Sequence, residues 1–368
     1  MKILFLVNHL NIGGITSYIL NLSCGLKQRG HSVFIASGGG GLLPKFKELG
    51  IGHIPIPIKT KNELSPKIIL GAFKLSKIIK DNEIDIVHSH SRTTQVLGCL
   101  LHKFTGVKHI STCHGFFKRR LARRIFPCWG ERVIAISEQV KEHLINDFKL
   151  NPSKIILVHN GIDMDRFKRF SAADREKAKL KLGLKSGPVV GIVARLSDVK
   201  GHKYLIGAMK SILAIYPEAQ LLIVGEGKME KELKRLTESF NIEKSVFFIP
   251  EAYDTREILP AMDIFVMPSL KEGLGLALME AMASGLAVIG SRVGGIKTLI
   301  TEGKNGLLFE PRDTEGLKEA IITLLADPKK REALAKGAEE FIKDNFSKDK
   351  MVLETERVYQ EVINERAG

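Results

Sequence analysis

The sequence predicts an α/β chain of two doubly wound parallel-sheet domains facing a cleft, followed by a helical C-terminal tail. Three observations lead there. Short apolar, β-branched runs alternate with longer amphipathic segments, as parallel strands joined by helical crossovers do. A charged, weakly apolar stretch over residues 168–181 leads through Gly183 and Ser186-Gly187-Pro188 into a second series of the same kind. After the last apolar run, the pattern is helical to the end.

In the first series the strand runs are 3–7, 32–36, 51–58, 84–87, 107–111, 132–136 and 155–158. The second series has runs at 189–193, 220–224, 246–249, 264–267, 287–289 and 307–309, and the tail has helical patterns at 317–325, 331–344 and 350–365. The expected division is 1–170, 171–345 and 346–368, the last a helix that packs back on the first domain. Doubly wound sheets bind ligands at the carboxyl ends of their strands, so the chemistry is sought in the loops that follow them.

A chain of 368 residues that is 44% hydrophobic and 26% charged excludes disordered, collagen-like and coiled-coil classes. Its net charge of +15 is unevenly placed: residues 1–170 carry 26 basic and 11 acidic side chains, and residues 171–368 carry 30 of each. The split argues for two domains with different partners, one of them anionic, rather than a uniformly basic nucleic-acid binder. Cys24, Cys99, Cys113 and Cys128 are far apart in sequence and read as small hydrophobes of a reducing compartment. The opening apolar run stops at Asn8-His9, too short for a signal peptide, and no run has the roughly 18 apolar residues of a spanning helix. A cytoplasmic protein is expected, meeting a membrane only at its inner surface.

Behind the first strand, Gly13-Gly14 opens a helix, so backbone N–H groups can approach an anion there; a plain strand-to-helix turn explains the pair equally well. The dinucleotide fingerprint G-x-G-x-x-G is absent. The segment Glu272-Gly273-Leu274-Gly275-Leu276 through Glu280 carries more information. From Leu274 to Ala283 every residue except Glu280 is apolar or glycine, so Glu280 sits where a carboxylate is costly unless satisfied. Vicinal sugar hydroxyls donating to it would satisfy it, as would a core arginine. Glu272 would lie one ligand-length away, and the N–H groups of Gly273, Leu274, Gly275 and Leu276 would point at any phosphate between the two carboxylates. Arg195 and Lys200, five residues apart behind a strand, suit a diphosphate, though surface loops carry such pairs by chance.

Together these residues resemble the retaining GT-B glycosyltransferases of family 4 (glycosyl transferases group 1). Glu272 to Glu280 matches the family's E-x7-E motif, and Arg195 with Lys200 its R-x4-K pair. Ala135-Ile136-Ser137-Glu138, Asn160-Gly161-Ile162-Asp163, Cys113-His114-Gly115, Gly225-Glu226-Gly227, Val293-Gly294-Gly295 and Asn305-Gly306-Leu307-Leu308 complete the pattern in order over nearly the full chain. The resemblance implies two Rossmann-like domains, with a nucleotide-diphosphate sugar (UDP- or GDP-linked) held mainly by the second and a glycan or lipid-linked acceptor on the first. It implies Glu280 on the ribose hydroxyls, Glu272 with the Gly273–Leu276 backbone on the donor sugar, Arg195 and Lys200 on the diphosphate, and Gly13, Gly14 and Gly225 around the donor. His114 maps to an active-site histidine near the transferred sugar. No metal and no cofactor are implied. Gly294-Gly295-Ile296-Lys297-Thr298 departs from the family's G-G-x-P-E, lacking the Pro and the Glu. Asp163-Met164-Asp165 imitates a metal-binding D-x-D but reads as structural at the domain link.

The run after His114 places Phe117, Leu121 and Ile125 on one helical stripe among Lys118, Arg119, Arg120, Arg123 and Arg124. A cationic amphipathic helix there suits an anionic membrane surface or a charged acceptor; an apolar stripe packed on its own domain fits equally. Transfer to a lipid-linked or surface glycan leads the functional readings. A nucleotide-sugar epimerase or another GT-B enzyme is the nearer alternative, and a non-catalytic anion or nucleic-acid binder the alternative from another class. The last has no use for Glu272 and Glu280, and nucleic acid is not expected as a partner.

Overall fold

In a computed structural model of the chain, which describes residues 1–58, 60, 62–63, 65–117, 123, 126–250 and 254–365, both apolar series form parallel sheets. The chain divides into two compact units, Met1–Gly161 with Lys348–Gly368, and Ile162–Ser347.

In the first unit, strands β1 (Lys2–Leu6), β2 (Ser32–Ser37), β3 (Gly52–Pro55), β4 (Ile86–Ser89), β5 (Lys108–Cys113), β6 (Arg132–Ala135) and β7 (Ile155–Leu157) form one seven-stranded sheet in the order β3-β2-β1-β4-β5-β6-β7. Leu4 sits opposite Phe34 on one side and Val87 on the other. The unbroken apolar run of β1 follows from burial on both faces. Ile3 and Phe5 enter one core with Tyr18 and Leu22, while Leu4 and Leu6 enter another with Ile68, Leu75 and Leu97. Around the sheet lie α1 (Gly14–Gln28), α2 (Leu43–Glu48), α3 (Pro66–Asp81), α4 (Arg92–Thr105) and α5 (Glu138–Phe148). Ser91 and Thr94 form a capping box at the start of α4, and Ser137 caps α5 by accepting from the Val140 N–H.

The second unit begins with α6 (Ala172–Lys181) and repeats the scheme through β8 (Val189–Val193), α7 (His202–Leu213), β9 (Gln220–Val224), α8 (Glu230–Ser239), β10 (Val246–Ile249), β11 (Ile264–Met267), α9 (Leu276–Ala283), β12 (Ala287–Ser291), α10 (Ile296–Leu299), β13 (Leu307–Phe309), α11 (Thr314–Ala326) and α12 (Pro328–Asn345). Its six-stranded sheet runs β10-β9-β8-β11-β12-β13. In both sheets the chain builds outward from its first strand to one edge, then returns to that strand's other side. The resulting switch points, β1/β4 and β8/β11, are where doubly wound folds open a crevice at the strands' carboxyl ends.

The last helix, α13 (Lys348–Asn364), returns to the first unit beside α1. A Cβ at Gly25 would lie 2.3 Å from the Val352 side chain, and Glu356 accepts from Arg29 (2.6 Å) and bonds the His31 ring (2.7 Å). The unit boundaries fall at 161/162 and 347/348, not at the 170/171 and 345/346 positions read from the sequence. The physical reason is backbone pairing: the Ile162 N–H donates to the Phe346 carbonyl at 2.8 Å, and Ile162 bridges Ser347. The charged stretch that marked the boundary in the sequence is surface of the second unit, where Arg169 pairs with Glu332 and Glu339. No helix among the described residues is long and apolar enough to cross a membrane.

Candidate functional site

In the second unit, the loops leaving β8 and β11 lie against each other at the switch point. The β8 loop carries Arg195 and passes through a short 3-10 turn, Asp198–Lys200, to Gly201 in the left-handed region (φ +72°). A Cβ on Gly201 would stand 1.9 Å from the Pro268 carbonyl oxygen, so only glycine lets the two loops touch. Gly225, behind β9, lies against the Ala194 carbonyl on the other flank of the same loop. The Lys200 Nζ donates to Glu272 Oε2 at 2.5 Å, and Glu272 Oε1 accepts from the Gly273 N–H at 3.2 Å. Gly294-Gly295, behind β12, backs this turn: the Gly295 N–H donates to the Glu272 carbonyl at 3.1 Å, and a Cβ on Gly294 would come within 2.1 Å of the same oxygen. The chain keeps these two glycines, which support Glu272, while lacking the Pro and Glu expected after them.

Arg195 is exposed and has no hydrogen-bond or ion-pair partner among the described residues, whereas Lys200 is half-buried against Glu272. One cation is thus fixed by a carboxylate and the other projects from the loop. Gly275 (φ +98°) then turns the chain into α9, whose Leu278, Met279, Ala281, Met282 and Ala283 are buried. Glu280 is the one ionisable group on this helix. Burial pushes its carboxyl up to about 7; the Thr255 hydroxyl, donating to Oε2 at 2.9 Å, opposes the rise, Asp254 adds to it, and Arg166 lowers it. The core arginine allowed by the sequence is not its hydrogen-bond partner: Arg256 and Arg166 pair with Asp254, Arg166 at 3.5 Å. Leu274 is buried and Leu276 half-buried at the same helix start.

In the first unit, Gly13 (φ +148°) precedes α1 and Gly14 is its first residue, with no atom within 4 Å of a Cβ at either. The switch point itself is neutral. Asn8, behind β1, accepts from the Ser91 (3.0 Å) and Thr93 (2.6 Å) hydroxyls behind β4. His114, behind β5, bonds through Nε2 to Nδ1 of His90 at 3.0 Å, and the His90 ring lies 4.2 Å from that of His88. His88 completes the chain to the Tyr359 hydroxyl (2.8 Å) on α13 and to Thr112 (2.7 Å). Burial lowers all three imidazoles, His114 to about 3, so they are uncharged at neutral pH.

Of the basic run after His114, Lys118, Arg119, Arg120 and Arg124 lie outside the described residues. Arg123 is buried, its guanidinium 4.1 Å over the Phe117 ring with Trp129 and Phe148 at 6.0 and 5.6 Å. This corrects its assignment to a membrane or acceptor surface: cation–π packing inside its own unit holds it. Asp163 and Asp165 form a local turn, the Asp165 N–H donating to Asp163 Oδ1 at 3.2 Å. Sequence reasoning missed Asn8, Ser91, His90 and Thr255, since each acquires meaning only from a partner distant in the chain.

The family models agree with this geometry unit by unit. Glycosyltransferase Family 4 matches residues 12–166 and Glycosyl transferases group 1 matches residues 174–341. The Escherichia coli UDP-Gal:alpha-D-GlcNAc-diphosphoundecaprenol alpha-1,3-galactosyltransferase is 30% identical over 325 residues, covering 84% of this chain and 83% of that one. The chain belongs to the family 4 glycosyltransferases. This glycosyltransferase is also 28% identical over 370 residues to N-acetyl-alpha-D-glucosaminyl L-malate synthase of Bacillus anthracis, covering 96% of each. Among solved structures, the Anabaena protein HepE in complex with UDP-glucose is similar with a TM-score of 0.87 at 22% identity, covering 98% of this chain and all of that one. The shared fold is GT-B, with two Rossmann-like parallel-sheet units.

Proposed function

We propose that this glycosyltransferase moves a sugar from a UDP- or GDP-linked donor to a lipid-linked or cell-surface glycan at the inner face of the membrane, with retention and without a metal. The observation that carries the reading is the β8/β11 switch point, where Arg195, Lys200 and Glu272 stand on loops locked together by glycines and Glu280 on the helix that follows. Arg195 and Lys200 supply the positive charge for a diphosphate leaving group, in the role a metal would otherwise fill. Glu280 receives the ribose hydroxyls, replacing the single Thr255 hydroxyl that now serves it. Glu272 and the N–H groups of Gly273, Leu274, Gly275 and Leu276 hold the donor sugar, with Gly225 behind the phosphates. Gly13-Gly14 and His114, a neutral imidazole, serve the donor from the first unit. The name of the E. coli relative, which includes UDP-Gal, and that of the HepE complex with UDP-glucose support a nucleotide-sugar donor.

In the transfer, the acceptor oxygen bonds to the anomeric carbon on the face the diphosphate leaves. The bond from that carbon to the phosphate oxygen breaks, and the acceptor proton passes to the departing phosphate. No protein carboxylate is required as nucleophile. The test is transfer from radiolabelled UDP- and GDP-sugars to a polyprenyl-diphosphate-linked sugar, with chelator present and the product's anomeric configuration read by NMR. Retained configuration, chelator-resistant turnover and loss of nucleotide binding in Glu280→Ala are expected. Neither transfer nor donor hydrolysis across the panel, with nucleotide binding unchanged in Glu280→Ala, would overturn the reading.

A further inference from the structure

Large apolar side chains that reach solvent are mostly isolated, as Leu180 and Ile215 are, but they gather on the outer side of α3. Ile69, Leu70 and Phe73 are 50%, 63% and 64% exposed, and Phe73 stacks on Phe104 near the end of α4, ring centroids 5.5 Å apart. Helix α3 already has its core stripe, since Ile68, Ala72, Leu75 and Ile79 are buried at helical spacing. The outward positions therefore need nothing apolar for folding, and a cluster of this kind marks an interaction surface.

Charge says what the surface meets. Lys67, Lys74, Lys77 and Lys80 lie on α3 and Lys103 on α4, and Asp81, the last residue of α3, is the sole acid of the two helices. Lys74 donates to the Pro55 carbonyl at 2.8 Å, but Lys67, Lys77, Lys80 and Lys103 have no hydrogen-bond or ion-pair partner among the described residues. Elsewhere in the unit lysines do find acids, as Lys2 finds Glu83 and Lys108 finds Glu131. A convex apolar ridge ringed by like charges repels a second copy of itself. A bilayer of anionic lipid offers both an apolar layer and negative charge.

We propose that the Ile69-Leu70-Phe73-Phe104 ridge docks on an anionic lipid bilayer, its apolar side chains entering the headgroup boundary while Lys67, Lys77, Lys80 and Lys103 meet lipid phosphates. The ridge is separate from the 116–126 run, of which Arg123 is buried. Docking is read without donor or acceptor, so its failure and that of the transferase reading are separable.

The experiment is co-sedimentation of the full chain with vesicles of phosphatidylcholine, alone or mixed with phosphatidylglycerol. Wild type should bind the mixed vesicles, release them in high salt, and leave the neutral ones in solution. Leu70→Ser and Phe73→Ser, at exposed positions, should each weaken binding about tenfold. Lys67→Gln and Lys77→Gln should each weaken it about fivefold. All four should keep the circular dichroism and melting temperature of wild type. Equal binding by wild type and the four variants would overturn the proposal, as would equal binding to neutral vesicles. It would also fall if lipid-free wild type self-associates and Phe73→Ser abolishes that without changing vesicle binding.

Discussion

The two units share a strand order and put opposite chemistry at the same place in it. Behind β8 and β11 stand two cations and two carboxylates, one cation without a partner among the described residues and one carboxyl whose pKa burial raises to about 7. Behind β1, β4 and β5 stand an amide, hydroxyls and uncharged imidazoles. The half of the sequence with all the excess positive charge thus has the uncharged switch point, and the electrically balanced half has the charged one. Net charge of a unit reports its outer surface, such as the lysines of α3, and not its crevice.

The largest effect expected from this contrast is on turnover. Lys200→Met removes the cation braced by Glu272 and should lower kcat/KM by about 10²–10³. Arg195→Met should have a smaller effect in the same range, because an exposed side chain gives up more of its charge to solvent. His114→Ala, removing a neutral ring, should fall below both. Steady-state kinetics on the three variants decide the order, and a His114 effect larger than that of Lys200 breaks the comparison.

Next in size is backbone strain. Gly201→Ala combines a left-handed φ with a carbonyl oxygen 1.9 Å from the new Cβ, and should destabilise the second unit by about 3 kcal/mol or more. Gly13→Ala shares the unfavourable φ but meets no neighbour within 4 Å, so about 1 kcal/mol is expected. Urea denaturation should separate them; equal losses would mean that loop contact at the β8/β11 switch point contributes nothing.

These contrasts mark where the sequence was legible. Strands such as β1, β8, β9 and β11 were readable because strands buried on both faces are nearly continuously apolar, and Glu280 stood out because a carboxylate in an apolar helix has few explanations. The histidine chain was not readable: His88 and His90 belong to the end of β4 and His114 to the end of β5, and only the sheet brings the two ends together. Thr255 was missed for the same reason, lying 25 residues from the carboxyl it serves. Arg123 read as a surface charge because two of the three aromatic rings around it, Trp129 and Phe148, lie outside its own run and only Phe117 is close in sequence. The α3 ridge shows the reverse limit. Its apolar residues in sequence could all belong to a core, and only packing against α4 tells Ile68 from Leu70.

Acid should act first on the first unit. His109 and His114 are lowered by burial from 6.5 to about 3. Their folded-state pKa is depressed, so the stability of the neutral rings is full above 6.5 and lost as pH falls from there toward 3. Over that window the unfolded chain binds protons that the folded one does not, so stability falls with pH. Protection factors of β4 and β5 amides, each taken against the intrinsic exchange rate at the same pH, should fall between pH 6 and 4 ahead of those of β11 and β12. A simultaneous fall would remove the distinction.

The smallest effect has the opposite sign and belongs to the second unit. Glu280 is raised by burial from 4.5 to about 7, so the folded protein holds its proton more tightly than the unfolded chain does. Below 4.5 both states are protonated and nothing is lost. Between 4.5 and 7 the unfolded chain releases the proton while the folded one keeps it, and stability falls until both are ionised above 7. Glu280→Gln retains an acceptor for the Thr255 hydroxyl and carries no charge. It should therefore match wild type at pH 4 and be about 1–2 kcal/mol more stable at pH 8, less than the full shift implies because the side chain is only half-buried. The same variant should bind nucleotide more weakly, since a neutral amide is a poorer acceptor for ribose hydroxyls than a carboxylate. Stability gained at alkaline pH with affinity lost would identify Glu280 as a group kept at a cost to the fold for the ligand it receives. Stability gained with affinity unchanged at pH 8 would make it an ordinary buried carboxyl and leave the charge of this switch point to Arg195, Lys200 and Glu272 alone.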